Sequence, residues 1–216
     1  MNVLQRLNDA GAVLLDQHFV YVSGKHGSGY INMDNVFPDA DLMSSLCGGL
    51  IDPFLDDVDT IAAPAVGGVV LSVLASRAAL DKGRDVRAVW ADKKADGGFV
   101  FERAGFVELI RGKRVLVVED LLNTGGSVER VSRAVQDLGA DLVGVSVICN
   151  RGGVTAAQLG APRLEALANV KFDAVEPDSC ELCAGGVPIV DDIGHGDKYK
   201  ADNPGYPGGF VSLLAT

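Results

Sequence analysis

The apolar residues of this chain follow two kinds of pattern that take turns along the sequence. Val115 to Val118 form an uninterrupted apolar run, which is typical of a parallel strand covered on both faces. After Ser127, the apolar positions instead recur at helical spacing. These positions are Val128, Val131, Val135 and Leu138. Because Gly139 then ends the pattern as a helix cap would, the sequence predicts a strand that leads directly into a helix.

The same alternation extends over most of the chain. The predicted elements are a helix at about 2–17, a hairpin-like hood to about 36, a helix at 40–52, a strand at 59–63, a helix at 68–81, a strand at 86–91, a flexible segment, a strand at 115–119, a helix at 127–138 and a strand at 142–148. Strands and helices in turn predict an α/β fold with a mostly parallel central sheet flanked by helices. We expect one domain over residues 1–216, with the hood formed by about 1–36 and part of the carboxyl-terminal tail. The stretch 191–209 is polar and rich in glycine and proline, so we expect it to wrap the surface or an interface rather than to form core.

Composition limits the classes of function. With 216 residues, 48% of them hydrophobic, the chain is long enough to bury a full core. A formal net charge of -10 disfavours nucleic acid as a partner. No apolar run reaches the roughly 18 to 20 residues that span a bilayer, and residues 1–16 lack the basic start and cleavage site of a signal peptide. We therefore expect a cytoplasmic protein with no membrane partner.

Two acids and a glycine-rich turn follow the strand at 115–119. Glu119 and Asp120 stand at its carboxyl end, which is where open α/β sheets bind ligands. The next residues, 123–127, are Asn-Thr-Gly-Gly-Ser, whose glycines let backbone N–H groups converge on an anion while the hydroxyls add donors. Because a helix begins here, its amino-terminal dipole also favours a phosphate. The alternative interpretation is a tight strand-to-helix connection without a ligand.

Three widespread signatures are absent from the sequence. There is no Gly-x-x-x-x-Gly-Lys-Ser/Thr phosphate loop, no Gly-x-Gly-x-x-Gly after a strand and no Gly-x-Ser-x-Gly elbow. These absences disfavour NTPase, dinucleotide-dependent dehydrogenase and α/β-hydrolase functions.

The segment VLVVEDLLNTGGS resembles the signature of the type I phosphoribosyltransferases, which use phosphoribosyl diphosphate (PRPP), and the chain as a whole resembles the orotate branch. The resemblance implies the type I phosphoribosyltransferase fold with an amino-terminal hood. It also implies that Glu119 and Asp120 hold the ribose hydroxyls and orient the sugar without a covalent role. The residues implied to hold the 5′-phosphate are Asn123, Thr124, Gly125, Gly126 and Ser127.

Further segments are similar to this family in the expected order. DTIAAPAVGG at 59–68 resembles the pyrophosphate-binding loop, which implies that Val66, Gly67 and Gly68 donate backbone N–H groups to the diphosphate. HFVYVSGKHGSGYIN at 18–32 resembles the segment that covers the base. Arg151 stands where orotate enzymes place an arginine that recognises the base's carboxylate, and CELCAGGVPI at 180–189 resembles a tail of some bacterial members. The base-binding residues implied in this way are Lys25, Tyr30 and Arg151.

The segment after the strand at 86–91 resembles the family's catalytic lid, with departures. Lys93 and Lys94 are the implied catalytic lysines, and Arg103 the implied PRPP-binding arginine. No histidine follows the lysines, although many orotate enzymes carry one, and a shorter-loop branch of the family is more similar here. From the sequence alone, two adjacent lysines also fit an exposed, solvated loop. Two further residues depart from the family: Asn123 stands where threonine is usual, and Met33 stands where a lysine is often found.

The resemblance implies magnesium-dependent transfer of the phosphoribosyl group from PRPP to orotate, giving orotidine 5′-monophosphate and pyrophosphate. Magnesium would be bound mainly through PRPP and pyrophosphate, and the family also implies a homodimer. Two alternatives stay open. One is a phosphoribosyltransferase that acts on a purine or another base, and the other is a PRPP-sensing module that has lost catalysis, which the altered lid motivates.

The four cysteines include one Cys-x-x-Cys pair, Cys180 and Cys183. Such a pair is compatible with a reduced, metal-free turn, with a strained disulfide or with half of a zinc site. A tetrahedral zinc needs two further ligands, and only His195 is near in sequence. We therefore expect no metal site made by protein side chains.

Overall fold

The computed structural model of the protein describes residues 2–214, in which helices and strands alternate over the middle of the chain. In chain order the elements are α1 (Val3–Asp9), β1 (Val13–Val20), β2 (His26–Ile31), α2 (Ala40–Ile51), β3 (Thr60–Pro64), α3 (Gly67–Asp81), β4 (Arg87–Lys93), β5 (Phe99–Val100), α4 (Phe106–Ile110), β6 (Arg114–Leu122), α5 (Gly126–Asp137), β7 (Asp141–Asn150), β8 (Leu164–Asn169), α6 (Glu181–Ala184), β9 (Ile189–Val190), α7 (Gly196–Asp202) and β10 (Phe210–Val211). Contacts divide the chain into two compact units, a discontinuous one (residues 2–38 and 172–214) and a central one (residues 39–171). That the chain acts as a single domain with a hood stays a prediction.

The central unit is built on a six-stranded sheet with the strand order β5-β4-β3-β6-β7-β8. Every neighbouring pair is parallel except β4 and β5, which are antiparallel. Helices α2, α3 and α5 contact the sheet. The predicted α/β class, with a mostly parallel sheet flanked by helices, is therefore confirmed.

Strand β6 leads into helix α5, and the apolar side chains of β6 are buried on both faces of the sheet. Val115 and Val117 pack in one apolar cluster with Val128 and Val131 of α5. Leu116 points to the other face, as alternation along a strand requires, and is also fully buried. The helix ends where predicted, since Gly139 adopts the left-handed backbone conformation with φ of 81°.

Two predictions about secondary structure and one about burial were wrong. The predicted helix at about 2–17 stops at Asp9, because Gly11 adopts a φ of 70° and the chain then enters β1. The predicted flexible segment after 91 contains instead the β4–β5 hairpin and the short helix α4. The stretch 191–209, expected to stay out of the core, contributes Ile193, which is 6% exposed, to an apolar cluster.

The discontinuous unit contains a four-stranded sheet with the order β10-β9-β1-β2. Strands β1 and β2 form the predicted antiparallel hairpin, and β9 adds in parallel to β1. One buried apolar cluster of this unit consists of Phe19, Tyr21, Val190 and Ile193. Among residues 2–214, no helix has the length and apolarity that crossing a membrane requires.

Candidate active site

Several predicted site residues meet at one edge of the central sheet. Strands β4, β3, β6 and β7 are parallel neighbours, so their carboxyl ends lie at the same edge. The predicted lysines, the diphosphate loop, the acid pair with its glycine-rich turn, and Arg151 lie at the carboxyl ends of these four strands or directly after them. Ligands of open α/β sheets bind at this edge.

Glu119 and Asp120 are the last acids of β6 and are partly buried. The backbone N–H of Asp120 donates to Glu119 Oε1 at 3.2 Å. Burial and the neighbouring charge of Asp120 raise the pKa of Glu119 well above its usual range. Two carboxylates crowded in this way are suited to accept hydrogen bonds from hydroxyls or to face a hydrated cation, since either relieves their repulsion.

The turn between β6 and α5, residues 123–127, has the backbone geometry of an anion cradle. Gly125 has a φ of 78° and caps α5, which begins at Gly126. A side chain at Gly125 would lie 2.8 Å from Leu159 Cδ2, so both conformation and space require glycine. Asn123 and Thr124 are exposed, and Ser127 is partly exposed. The free N–H groups of the first helical turn therefore face the same edge as the two acids.

Arg151 and Gly152 are bound directly to this cradle. Their backbone N–H groups both donate to the carbonyl oxygen of Leu122, at 2.9 Å each. The Arg151 guanidinium donates through Nη1 to Asn123 Oδ1 at 2.7 Å. The sequence suggested a role for both side chains but not this contact, which depends on β6 and β7 being neighbours.

Gly152 is a residue of this site that sequence reasoning missed. A Cβ there would lie 1.6 Å from the carbonyl oxygen of Asn123, so the backbones of the two segments touch. The only sequence signal is a glycine pair directly after Arg151.

We expect Gly152→Ala to destabilise the fold by about 2 to 3 kcal/mol, because backbone atoms of the cradle must move to relieve the clash. Urea unfolding measures this change. Gly48→Ala is the matched control, since a Cβ there meets nothing closer than 4.0 Å inside helix α2, and it should be neutral or stabilising. Equal unfolding midpoints for Gly152→Ala and the wild type would contradict the packing described here.

The loop after β3 brings a second helix start to the same edge. The peptide between Ala65 and Val66 is cis, Val66 is exposed and α3 begins at Gly67. Gly68 is buried so close to β3 that a Cβ would lie 2.7 Å from Ala63 Cβ. Since β3 pairs directly with β6, this turn lies beside the strand that carries Glu119 and Asp120.

The predicted lysines lie on the β4–β5 hairpin. Lys93 pairs with Phe99 across the hairpin. Lys94 follows β4, and its backbone N–H donates to the carbonyl oxygen of Gly98. Both lysines are exposed. Arg103 donates to Asp92 at 3.0 Å and stacks over Trp90 at 5.2 Å. Its guanidinium is therefore engaged beside the hairpin, and the roles of all three cations stay predictions.

Lys25 and Tyr30, the other predicted base-binding residues, lie in the discontinuous unit. Lys25 forms an exposed ion pair with Glu176 at 3.1 Å. Tyr30 is partly buried, and its ring packs against Phe19 at 5.4 Å between centroids. Their base-binding roles stay predictions.

The chain is similar in sequence to one protein family and to curated members of it. The family profile described as "Phosphoribosyl transferase domain" matches residues 42–167. Among curated proteins, the orotate phosphoribosyltransferase of Caldicellulosiruptor saccharolyticus is 35% identical over 87% of this chain and 93% of its own length. That of Desulforamulus reducens is 36% identical over 82% of this chain and 88% of its own.

Solved structures agree in fold. The crystal structure of orotate phosphoribosyltransferase from Aeropyrum pernix matches with a TM-score of 0.58 and 21% identity, covering 77% of this chain and 93% of that one. The Mycobacterium tuberculosis enzyme in complex with PRPP matches with a TM-score of 0.53 and 21% identity, covering 69% and 82% of the two chains.

Proposed function

We propose that this chain, which belongs to the type I phosphoribosyltransferase family, transfers the phosphoribosyl group of PRPP to orotate. Its relatives of 35% and 36% identity, matched over most of their length, carry the name orotate phosphoribosyltransferase. The observation that carries the proposal is the sheet edge at which the acid pair near the end of β6, the anion cradle after β6 and Arg151 after β7 lie on two neighbouring parallel strands. An anion cradle beside two carboxylates that can accept hydrogen bonds from hydroxyls fits a ribose phosphate. A guanidinium beside that cradle fits a nucleobase that carries a carboxylate.

In this proposal, residues 123–127 bind the 5′-phosphate and Glu119 and Asp120 accept hydrogen bonds from the two ribose hydroxyls. The left-handed Gly125 and the first turn of α5 supply N–H donors. Hydroxyl donors would also offset the burial and the repulsion from Asp120, which together raise the pKa of Glu119. The acid pair would thereby orient the ribose and favour the positive charge that develops on it.

The diphosphate would lie against the turn Val66–Gly68, whose helix start faces the same edge. Magnesium would arrive bound to the diphosphate. Hard cations prefer carboxylate and phosphate oxygens, and Glu119 and Asp120 of β6 offer carboxylates at this edge, so the residues present fit such an ion. When bound, magnesium would neutralise charge on the leaving group. Lys93 and Lys94 would add cationic donors from the hairpin.

The reaction joins a ring nitrogen of orotate to the anomeric carbon of PRPP and breaks the bond from that carbon to the diphosphate oxygen. Orotidine 5′-monophosphate and pyrophosphate are the products. The ring nitrogen loses its proton to pyrophosphate or to solvent as the new bond forms, so the chain mainly has to position the reactants. Arg151, fixed by Asn123, is placed to receive the carboxylate of the base with its planar fork of donors.

Pyrophosphate release tests the proposal. The full-length protein is supplied with PRPP and magnesium and with orotate, uracil or a purine in turn, while calorimetry follows PRPP binding. We expect release with orotate and none with uracil or purines. Pyrophosphate release with a purine and not with orotate would make a purine the acceptor. PRPP binding without pyrophosphate release in the presence of any base would support a sensing module and contradict the transfer.

A further inference from the structure

Two histidines and two cysteines converge inside the discontinuous unit, remote in sequence from one another. His18 lies on β1 and His26 on β2, while Cys180 and Cys183 flank the start of α6. One ligand atom from each of the four side chains lies within 4.8 Å of the other three. None of these side chains has a role in the transfer reaction proposed above.

The separations between the four donor atoms are close to those of donors around one small cation. His18 Nε2 lies 3.6 Å from both Cys180 Sγ and Cys183 Sγ, and His26 Nδ1 lies 3.2 Å from Cys183 Sγ. The two imidazole nitrogens are 2.9 Å apart. A tetrahedral zinc ion, with bonds of about 2.0 Å to nitrogen and about 2.3 Å to sulfur, separates its donors by about 3.3 to 3.8 Å. Small side-chain shifts would bring all four into that range.

We propose that His18, His26, Cys180 and Cys183 bind a structural zinc ion through His18 Nε2, His26 Nδ1 and the two sulfurs. Two imidazoles and two thiolates form a complete tetrahedral set for zinc and leave no position open for a substrate. The site is therefore structural rather than catalytic, and it is independent of the phosphoribosyl transfer.

The surroundings of His18 orient it as a metal ligand. Its Nδ1–H donates to the carbonyl of Val187 at 2.9 Å, which leaves the lone pair of Nε2 directed at the cluster. Tyr206 donates its hydroxyl to the same carbonyl at 2.8 Å. Histidines that bind metals generally make such a contact through their other ring nitrogen.

Burial also fits a zinc site. Both imidazoles are fully buried, and among residues 2–214 His26 Nε2 has no hydrogen-bond partner. Cys180 is buried and Cys183 is partly buried, so the two sulfur donors are largely withdrawn from solvent together with the two imidazoles.

The position of the cluster gives the ion a physical role. The hairpin of β1 and β2 would be linked to the tail segment that carries α6, and β9 pairs with β1 right after that segment. The ion would join segments that are 162 positions apart in sequence, as between His18 and Cys180. A metal link that closes so long a loop stabilises the folded chain, because it limits the conformations of the unfolded one.

Metal analysis of the full-length protein tests the site. The wild type, purified anaerobically without added chelator, should contain one zinc per chain, and cobalt added in its place should give the intense thiolate-to-cobalt absorption of a tetrahedral site with sulfur ligands. His18→Gln and Cys183→Ser should each lower the bound zinc by at least about 10-fold. The controls His195→Gln and Cys47→Ala lie outside the cluster and should retain it.

Measurements on the unmodified protein decide the question even if a variant fails to fold. Removing zinc with a strong chelator should lower the thermal midpoint, and adding zinc back should restore it. A folded wild type that contains no zinc and gives no thiolate-to-cobalt absorption would overturn the proposal. So would a disulfide between Cys180 and Cys183 in the anaerobically purified protein, or loss of zinc in the His195→Gln control alone.

Discussion

Replacing both Glu119 and Asp120 by their amides is expected to lower kcat/KM for PRPP by at least about 100-fold. Each carboxylate would accept charge-assisted hydrogen bonds from ribose, which contribute about 1.5 to 3 kcal/mol each, and about 1.4 kcal/mol corresponds to a factor of ten. Amides keep the size of the side chains but lose the charge. The measurements are pyrophosphate release for kcat/KM and calorimetry for PRPP affinity.

The single change Glu119→Gln should at the same time stabilise the protein at neutral pH, by on the order of 1 kcal/mol. The folded-state pKa of Glu119 is raised by burial and by Asp120, so the charged form is less favourable in the folded than in the unfolded chain. Below about pH 4 the carboxyl is protonated in both states and the gain disappears. The gain grows as the pH rises through the raised pKa, and thermal unfolding at several pH values measures it.

A matched control separates these effects from a general loss of negative charge. Glu108 and Asp137 are exposed acids on helices α4 and α5. The double change Glu108→Gln and Asp137→Asn should leave both kcat/KM and PRPP affinity unchanged. If the Glu119 and Asp120 double amide bound PRPP as tightly as the wild type, the placement of ribose against these two acids would be wrong.

The second large effect concerns Arg151 and the choice of base. We expect Arg151→Gln to lower kcat/KM for orotate by about 30- to 150-fold, because a charge-assisted pair of about 2 to 3 kcal/mol is lost. Arg151→Lys keeps the charge but loses the planar fork, so it should recover only part of the activity. PRPP affinity should change much less than orotate turnover, and steady-state kinetics with calorimetry measure both.

The contact between Arg151 and Asn123 requires its own variant. Arg151 donates to Asn123 at 2.7 Å, so its removal also frees the cradle side chain. Asn123→Ala removes the same contact while leaving the guanidinium in place, and it should cost less orotate turnover than Arg151→Gln. Arg111→Gln, at an exposed position after helix α4, serves as the charge-matched control. If Arg151→Gln lost no more orotate turnover than Arg111→Gln, recognition of the carboxylate by Arg151 would be refuted.

The parts of the molecule that were predictable are those encoded in consecutive residues. The run from Val115 to Val118, the acids after it and the glycines at 125 and 126 specify a strand, a turn and a helix with little help from elsewhere. Gly139 stops that helix because glycine adopts a positive φ at low cost. Gly11 has the same conformation, yet the apolar residues on both sides of it resembled one long helix, and the boundary between α1 and β1 was missed.

The sequence by itself determined the fold class, the family and the edge of the sheet where phosphate chemistry would take place, because each of these follows from local backbone preferences and a contiguous motif. Tertiary structure alone decided which distant side chains meet. Arg151 reaches Asn123 only because β6 and β7 pair in register, and Cys180 meets His18 across 162 positions of sequence. Such long-range contacts depend on strand pairing and on burial, to which many weak interactions across the whole chain contribute. A short stretch of sequence does not include these interactions.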